Sequence, residues 1–249
     1  MISRRRFGQH FLRDETILGE LIARINPLPG EKMLEIGPGD GALTGRLLRA
    51  GATLSAVEID RDLAEKLRAQ FPDLHLIVGD ALKEDLPHLL RNGMRVAGNL
   101  PYNISTPLLI RLAECRPREM WLMVQKEVAA RVCAAPGGAE YGRLTVSVRL
   151  RYDAAAEMSA PPEAFAPPPK VDSAVIKLTR RDNPPRYAPS LPAIVAAAFQ
   201  NRRKMLGNGL SEFAINWQGA EIDPSRRPQT LSPEEFARLS LYTEQSSAE

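Results

Sequence analysis

The sequence lacks a hydrophobic run long enough to cross a membrane. None of its apolar stretches approaches the ~18 residues that a spanning helix needs. The first residues, MISRRRFGQHFL, contain arginines but no apolar segment behind them, which argues against a secretory signal peptide. Cysteine is scarce, because Cys115 and Cys133 are the only two, and their spacing indicates neither a metal site nor a disulfide. We therefore expect a cytoplasmic protein without a metal site.

An excess of one charge is also missing, because 33 lysines and arginines face 30 aspartates and glutamates. The basic residues are nevertheless clustered. Three arginines occupy positions 4–6, ahead of the first acidic residue, and residues 170–204 contain eight basic side chains against two acidic ones. Such clusters suit a polyphosphate partner, because binding releases counterions. A solvated surface would have the same composition, and charge alone does not decide between the two.

Short apolar runs alternate with amphipathic stretches through the first half of the chain. The pattern predicts strands in the segments KMLEIG, LSAVEID, LHLIVGD, MRVAGN and MWLMVQ. It predicts helices from Asp14, a suitable N-cap, to Ile25, in ALTGRLLRAG and RDLAEKLRAQF, and near residues 104–113 and 126–134. This alternation is typical of a parallel sheet with helices on both faces.

The pattern changes after Tyr141. GRLTVSVRLRY and DSAVIKL are predicted as strands, and the proline-rich segment APPEAFAPPPKV separates them where a helix would be expected. An antiparallel pair at the edge of the sheet follows from this arrangement. From Pro189 the chain is predicted to be helical, with Ser232 as a cap and Pro233 in the first helical turn. We therefore predict two domains, residues 1–184 and a small helical domain, residues 185–249.

Glycines and acidic residues follow successive predicted strands. Gly37, Gly39 and Gly41, in EIGPGDGALT, follow the first strand, and glycine lets the backbone approach a ligand closely. Glu58 ends the second strand, where it could accept hydrogen bonds from ribose hydroxyls, and Asp80 ends the third, where it could accept from an adenine amino group. Open α/β sheets bind ligands at these strand ends. The sequence thus predicts a site for an adenosine-type cofactor, and the glycines alone would also fit a nicotinamide oxidoreductase.

Asn99-Leu100-Pro101-Tyr102 ends the fourth strand, beside the same predicted crevice. A turn with a half-buried tyrosine is the structural alternative for this tetrapeptide. The functional alternative is that this tetrapeptide takes part in methylation of an adenine amino group. The amide oxygen of Asn99 and the carbonyl of Leu100 could accept the amino hydrogens, and Tyr102 could stack on a base that has left its helix.

The sequence resembles the ribosomal RNA small-subunit adenine dimethyltransferases over nearly its whole length. Nine segments carry the resemblance in the family's order and spacing: RRRFGQHFL, EIGPGDGALT, VEIDRDL, GNLPYNIST, QKEVAARV, YGRLTV, FAPPPKVDSAV, AFQNRRKML and IDPSRRPQTLS. The resemblance implies a Rossmann-like class I methyltransferase sheet, parallel with an antiparallel edge strand, plus a small C-terminal α-helical domain. It also implies S-adenosyl-L-methionine as cofactor and two adjacent adenosines near the 3′ end of small-subunit 16S rRNA as substrate.

The resemblance assigns roles to individual residues. The implied cofactor-binding residues are Gln9, His10, Leu12, Gly37, Gly39, Glu58, Ile59, Asp80, Ala81 and Asn99. The implied catalytic residues are Asn99, Leu100, Pro101 and Tyr102, together with Phe165 against the second face of the base. The implied RNA contacts are Arg4, Arg5, Arg6, Arg202, Arg203 and Lys204.

Two of these residues leave alternatives open. Family members often have Asn where this chain has His10, so the cofactor contact there could come from either the backbone or the side chain. Phe165 could equally be an apolar plug between the sheet and the helical domain.

Three other functions compete with this interpretation. A large-subunit rRNA adenine N6-methyltransferase of the macrolide-resistance type has a similar core, although FAPPPKVDSAV and NRRK favour the small-subunit type. A catalytically silent ribosome-assembly factor is disfavoured because Glu58, Asp80, Asn99 and Tyr102 are all present. A nicotinamide oxidoreductase would need a hydride-transfer site, and none is visible. We expect the enzyme to act as a monomer on the small ribosomal subunit, with a role in its biogenesis.

Overall fold

The computed structural model describes residues 9–244, apart from the side chain of residue 92. They form two units, one of residues 9–129 and 154–180 and one of residues 130–153 and 181–244. Within the described residues, no helix combines the length and the apolar character required to cross a membrane.

The described chain has nine strands. They are β1 (Phe11–Leu12), β2 (Lys32–Ile36), β3 (Thr53–Glu58), β4 (His75–Val78), β5 (Arg95–Asn99), β6 (Glu119–Gln125), β7 (Tyr152–Ala160), β8 (Phe165–Ala166) and β9 (Ser173–Arg180).

The α-helices of the same residues alternate with these strands in the first unit and dominate the second. They are α1 (Glu15–Ile25), α2 (Thr44–Arg49), α3 (Arg61–Gln70), α4 (Leu86–Leu89), α5 (Ser105–Cys115), α6 (Lys126–Cys133), α7 (Arg143–Arg149), α8 (Leu191–Gln200), α9 (Leu206–Gly209), α10 (Trp217–Ala220) and α11 (Pro233–Leu241).

Seven strands form the main sheet, in the order β4-β3-β2-β5-β6-β9-β7. Strands β2 to β6 pair in parallel, and β9 pairs antiparallel with β6, so that Leu122 lies opposite Ile176. The carboxyl ends of β2, β3, β4 and β5 therefore meet at one edge, where open α/β sheets bind ligands. This architecture, with helices at the end of the chain, confirms the predicted fold class.

A second, two-stranded sheet brings the beginning of the described chain to this edge. Strand β1 pairs antiparallel with β8, with Phe11 opposite Ala166 and Leu12 opposite Phe165. Helix α1 follows directly, and Asp14 Oδ1 accepts hydrogen bonds from the amides of Thr16 and Ile17, each at 2.9 Å. The predicted N-cap is confirmed, and it fixes where the extended segment ends.

The prediction of a strand in GRLTVSVRLRY was wrong, because most of this segment forms helix α7. Leu144, Val146, Val148 and Leu150 alternate and are all buried, as they would be in a half-buried strand. Thr145 is fully buried as well, so burial in this helix is not confined to alternate positions, but the alternating apolar residues of the sequence match the pattern of a strand. The edge strand is β7, whose alanine-rich sequence gives little strand signal.

The second unit has its own hydrophobic core. Tyr141, Val146 and Leu150 pack there with Ile194 and Phe236. This shared core explains why residues 130–153 belong to the second unit, although the sequence analysis placed them in the first domain. The later boundary, at Arg181, lies close to the predicted start at residue 185.

Helix α11, in the second unit, begins as predicted. Ser232 Oγ accepts from the Glu235 amide at 3.1 Å, and Glu235 Oε2 accepts from the Ser232 amide at 2.7 Å. Pro233 occupies the first turn of the helix, so the predicted start of this helix is confirmed.

Candidate functional site

A glycine-rich loop follows β2 at the ligand-binding edge of the sheet. Gly37, Gly39 and Gly41 have φ angles of +68°, +61° and +85°, values that side chains disfavour. A Cβ atom on Gly39 would lie 2.9 Å from the ring of Phe11, and one on Gly37 would lie 3.6 Å from the carbonyl oxygen of Asn99. The loop therefore runs close to both β1 and the end of β5.

Glu58, the last residue of β3, is almost completely buried beside this loop. Its Oε2 accepts from the Gly39 amide at 3.0 Å, and its Oε1 accepts from the Asp60 amide at 2.9 Å. Burial raises the pKa of the carboxyl, although the hydrogen bonds from Asp60 and Gly39 oppose the increase. A carboxylate oxygen has two lone pairs, so each oxygen can still accept a ribose hydroxyl.

A second buried acid, Glu35, lies on β2 and was not among the predicted site residues. Its side chain accepts a hydrogen bond from Thr44 Oγ at 2.7 Å. Burial raises the pKa of Glu35 to about 8. The hydrogen bond from Thr44 opposes the increase, and the charges of Glu58 and Asp40 add to it. A charged residue inside the apolar run MLEIG was the signal that could have found it.

The predicted cofactor residues are brought together by the structure. One cavity is lined by Gln9, His10, Leu12, Gly37, Gly39, Glu58, Ile59, Asp80, Ala81 and Asn99. Asp80 Oδ1 accepts a hydrogen bond from the Leu82 amide at 2.9 Å, and Ile59, another residue that lines the cavity, is 40% exposed. An acidic acceptor beside an accessible apolar side chain suits a purine ring.

Leu100, Pro101 and Tyr102 line the same cavity, next to Asn99. Asn99 Nδ2 donates to the carbonyl of His10 at 2.7 Å, and within residues 9–244 no donor is bound to its Oδ1, which can accept on the other side of the amide. The Leu100 amide donates to the carbonyl of Met123 at 3.0 Å, so the turn is fixed to β6. No donor from the residues that the structure describes reaches the carbonyl of Leu100.

Gly98 lies directly before this turn, at the fourth position of β5. A Cβ atom there would lie 2.5 Å from the carbonyl oxygen of Ile36, a backbone atom that cannot move aside. Glycine is therefore required for β5 to lie against β2 where the cofactor loop begins.

Tyr102 is held by two residues outside its own turn. Its hydroxyl hydrogen-bonds with Oγ of Ser173, a fully buried residue at the start of β9. Its ring stacks on the imidazole of His10, with centroids 5.3 Å apart and an interplanar angle of 29°. Burial raises the pKa of the phenol, so the hydroxyl stays protonated at neutral pH.

Phe165 does not join this arrangement. It is 3% exposed, belongs to the core of the first unit and is absent from the cavity lining. The expectation of a ring facing the target base is not met in this structure, because pairing of β8 with β1 turns Phe165 into the core. Phe165 is an apolar core residue, as the alternative expected, but the core that it joins consists of residues of the first unit.

The predicted RNA contacts of the second unit differ among themselves. Arg202 Nη2 donates to the carbonyls of Ala139 at 2.7 Å and Gly138 at 3.3 Å, so this arginine fastens a loop of its own unit. Arg203 and Lys204 are exposed. The other predicted contacts, Arg4, Arg5 and Arg6, lie outside the described residues.

The fold and the site together define a class: Rossmann-like methyltransferases that use S-adenosylmethionine. The family model described as "Ribosomal RNA adenine dimethylase" matches residues 2–245, and the chain belongs to this family. The resemblance found in the sequence is therefore confirmed, and the enzyme is an S-adenosylmethionine-dependent rRNA adenine dimethyltransferase.

Curated relatives and solved structures agree with this membership. "Ribosomal RNA small subunit methyltransferase A" of Laribacter hongkongensis is 46% identical, over 96% of this chain and 95% of the relative. The protein of the same name from Pseudomonas aeruginosa is 43% identical, over 95% and 93%. A dimethyladenosine transferase from Plasmodium falciparum superposes with a TM-score of 0.76, at 26% identity over 93% of this chain and 96% of that one. The 23S rRNA methyltransferase ErmE has the same fold, with a TM-score of 0.71 at 24% identity over 94% and 100%.

Proposed function

We propose that the enzyme dimethylates N6 of two adjacent adenosines near the 3′ end of 16S rRNA, and that it acts in small-subunit biogenesis. The relatives with 46% and 43% identity are named as small-subunit methyltransferases and are matched along nearly their whole length. The observation that carries the chemistry is the fixed amide of Asn99: its Nδ2 donates to the carbonyl of His10, and its Oδ1 has no donor in the part of the chain that the structure describes.

The residues of the cavity fit S-adenosylmethionine. Glu58 would accept the ribose hydroxyls, the glycine loop would face the methionine portion, and Asp80 would accept from the adenine amino group, beside Ile59 and Ala81. A Cβ at Gly37 would project toward the carbonyl of Asn99, so this glycine keeps open the space between the cofactor loop and the catalytic turn. When bound, the cofactor supplies an electrophilic methyl group on its sulfonium.

Asn99 and Leu100 would orient the target amino group. The nitrogen of an adenine amino group is a weak nucleophile, because its lone pair is delocalised into the ring. With its two hydrogens donated to Asn99 Oδ1 and the Leu100 carbonyl, the lone pair is directed away from the ring plane toward the methyl donor. The nitrogen loses a proton after it has become positively charged, so this arrangement needs no strong base before the attack.

Tyr102 would stack on the target base once the base has left its helix, which replaces part of the lost stacking. The hydrogen bond to Ser173 holds the tyrosine ring in a fixed orientation. A preorganised ring loses little entropy when the base binds.

The helical domain, residues 185–249, would bind rRNA phosphates through Arg203 and Lys204. Arg202 would support this surface from beneath, and Arg4, Arg5 and Arg6 would add contacts from the amino-terminal arm. These contacts position the RNA and do not read its sequence. The enzyme would act as a monomer in the cytoplasm.

The salt dependence of RNA binding distinguishes residues that contact phosphates from residues that only support the fold. Replacing Arg203 and Lys204 together by Ala should lower rRNA affinity and reduce the slope of log K against log[salt] by about 1.4–1.8, since each lost phosphate contact releases fewer counterions. Arg202→Ala should mainly lower the melting temperature. An unchanged slope in the double variant would show that the two exposed cations are only solvated.

Mass spectrometry of small-subunit particles, incubated with enzyme and S-adenosylmethionine, tests the proposed function directly. Two adjacent N6,N6-dimethyladenosines near the 3′ end of 16S rRNA are expected. Modification of 23S rRNA instead would indicate the large-subunit type, and binding without methylation would indicate an assembly factor.

Asn99→Ala tests the catalytic role in the same assay. With S-adenosylmethionine saturating, the single-turnover rate should fall by about 10²–10³-fold, the range seen when one preorganised polar group is removed from an active site. RNA affinity should change little. A folded Asn99→Ala enzyme that methylates at the parent rate would leave the asparagine only a turn residue.

A further inference from the structure

The imidazole of His10 covers one face of the ring on which the target base is proposed to stack. The two ring centroids are 5.3 Å apart, and the planes are inclined by 29°. Both residues line the cofactor cavity. The imidazole therefore lies against one face of Tyr102, inside the cavity that the target base is proposed to enter.

This position of His10 is defined by hydrogen bonds. Its Nδ1 lies 2.7 Å from the carbonyl oxygen of Pro167, and its own carbonyl accepts from Asn99 Nδ2 at 2.7 Å. The next residue, Phe11, begins the ladder between β1 and β8. The other two histidines, His75 and His88, are exposed, so His10 is the one held inside a site.

The spacing leaves no room for a base between the two rings. Carbon atoms in contact lie about 3.5–4 Å apart, so two rings that sandwich a third are separated by about 7–8 Å. The observed distance of 5.3 Å is that of a direct contact. A base can use this face of Tyr102 only after the imidazole has moved away.

We propose that His10 is a placeholder for the target adenine, an inference that rests on the proposed function. The imidazole occupies the stacking face of Tyr102 while RNA is absent, and the incoming base displaces it. Base entry then exchanges one stacked ring for another and also breaks the hydrogen bond to Pro167. His10 thereby reduces the apparent affinity for RNA, whereas its backbone carbonyl continues to orient Asn99.

Two substitutions separate the ring from its hydrogen bond. His10→Ala removes both, and His10→Asn removes the ring but keeps a polar side chain that can donate to the carbonyl of Pro167. Neither changes the backbone carbonyl that holds Asn99. His75→Asn, at the exposed first residue of β4, is the matched control.

The probe is small-subunit RNA with 2-aminopurine in place of one target adenosine, bound to enzyme that is saturated with S-adenosylhomocysteine. The Kd of His10→Ala for this RNA should be about 3- to 10-fold lower than that of the parent, which corresponds to one lost ring–ring contact. His10→Asn should show a decrease in the same direction, and 2-aminopurine fluorescence should be quenched more completely. His75→Asn should match the parent.

The increase in RNA affinity caused by His10→Ala should depend on Tyr102. In a Tyr102→Leu background, His10→Ala should leave the RNA Kd unchanged, because the imidazole then has no ring to cover. An unchanged or higher Kd for folded His10→Ala, or a gain that persists without Tyr102, would overturn the proposal. So would a loss of S-adenosylhomocysteine affinity in His10→Ala, since that would make the side chain a cofactor ligand. Methylation by the parent, followed by mass spectrometry, tests the proposed function separately.

Discussion

Within residues 9–244, ionisable side chains are buried at both the amino and the carboxyl ends of the strands in the main sheet, but only those at the amino ends have partners of opposite charge. At the amino ends, Arg95 is 6% exposed and pairs with Glu31 at 3.1 Å and with Glu119 at 2.5 Å. Lys177 lies 3.1 Å from Glu119 as well. At the carboxyl ends, Glu35 and Glu58 are buried, and among the described residues neither forms an ion pair with a lysine or arginine.

The pKa values follow this difference. Burial alone would raise the pKa of Glu119, but the hydrogen bond from Trp121 and the positive charge of Arg95 lower it below its ordinary value. The pKa values of Glu35 and Glu58 are raised, because burial is not offset by a cation. At the amino ends of the strands the buried charges are paired and stabilise the fold. At the carboxyl ends the unpaired carboxyl groups remain available as acceptors for a ligand, and they lower the stability of the fold.

Removing Arg95 should have the largest effect on stability. Arg95→Met leaves two partly buried glutamates without their shared cation and the carbonyl of Ile25 without its donor, so the free energy of unfolding should fall by about 3–5 kcal/mol. Urea unfolding measures the change. Arg118→Met removes an exposed partner of the same Glu31 and should cost less than about 1 kcal/mol. Equal losses in both variants would show that burial does not distinguish these ion pairs.

Glu35→Gln should increase the free energy of unfolding, whereas Arg95→Met should lower it. The unfolded carboxyl ionises near pH 4.5 and the folded one near pH 8, so the parent loses stability as the pH rises between these values. Above pH 8 the full penalty is present, and the variant should be more stable than the parent by on the order of 3 kcal/mol. Glutamine can still accept from Thr44. Urea unfolding at pH 5 and pH 8.5 measures the difference, and a parent whose stability does not fall over this range would contradict the assignment.

Glu58→Gln should affect the cofactor more than the fold. Ribose hydroxyls would lose a charged acceptor, which should weaken S-adenosylmethionine binding by about 1.5–3 kcal/mol, or roughly 10- to 150-fold in Kd. Calorimetric titration measures the loss, and a thermal melt confirms that the variant is folded. Unchanged affinity would remove Glu58 from the cofactor site.

The sequence predicted the fold class and the shared edge of the strand ends better than it predicted the structure of individual segments. Glu58, Asp80 and Asn99 could be placed because parallel strands bring their carboxyl ends to one edge, whatever the details of packing. The helix α7 could not, since its alternating valines satisfy a strand pattern equally well. The contacts of Tyr102 with His10 and Ser173 join residues far apart in the chain, so no local pattern could reveal them. The same applies to Phe165, which is buried by its partner strand.

The pairing of β1 with β8 also affects when each part of the site can fold during translation. Residues 11–12 leave the translating ribosome early, whereas their partners, residues 165–166, follow only after the chain has passed through part of the second unit. Nascent chains fold as their contacts become available. Residues 9–12, which line the cofactor cavity, therefore have no partner strand until residue 166 has been translated. In a shorter chain, cofactor binding cannot stabilise the fold through contacts with these residues. Premature termination before that point would produce a glycine loop and acidic residues without a closed methyl-donor site.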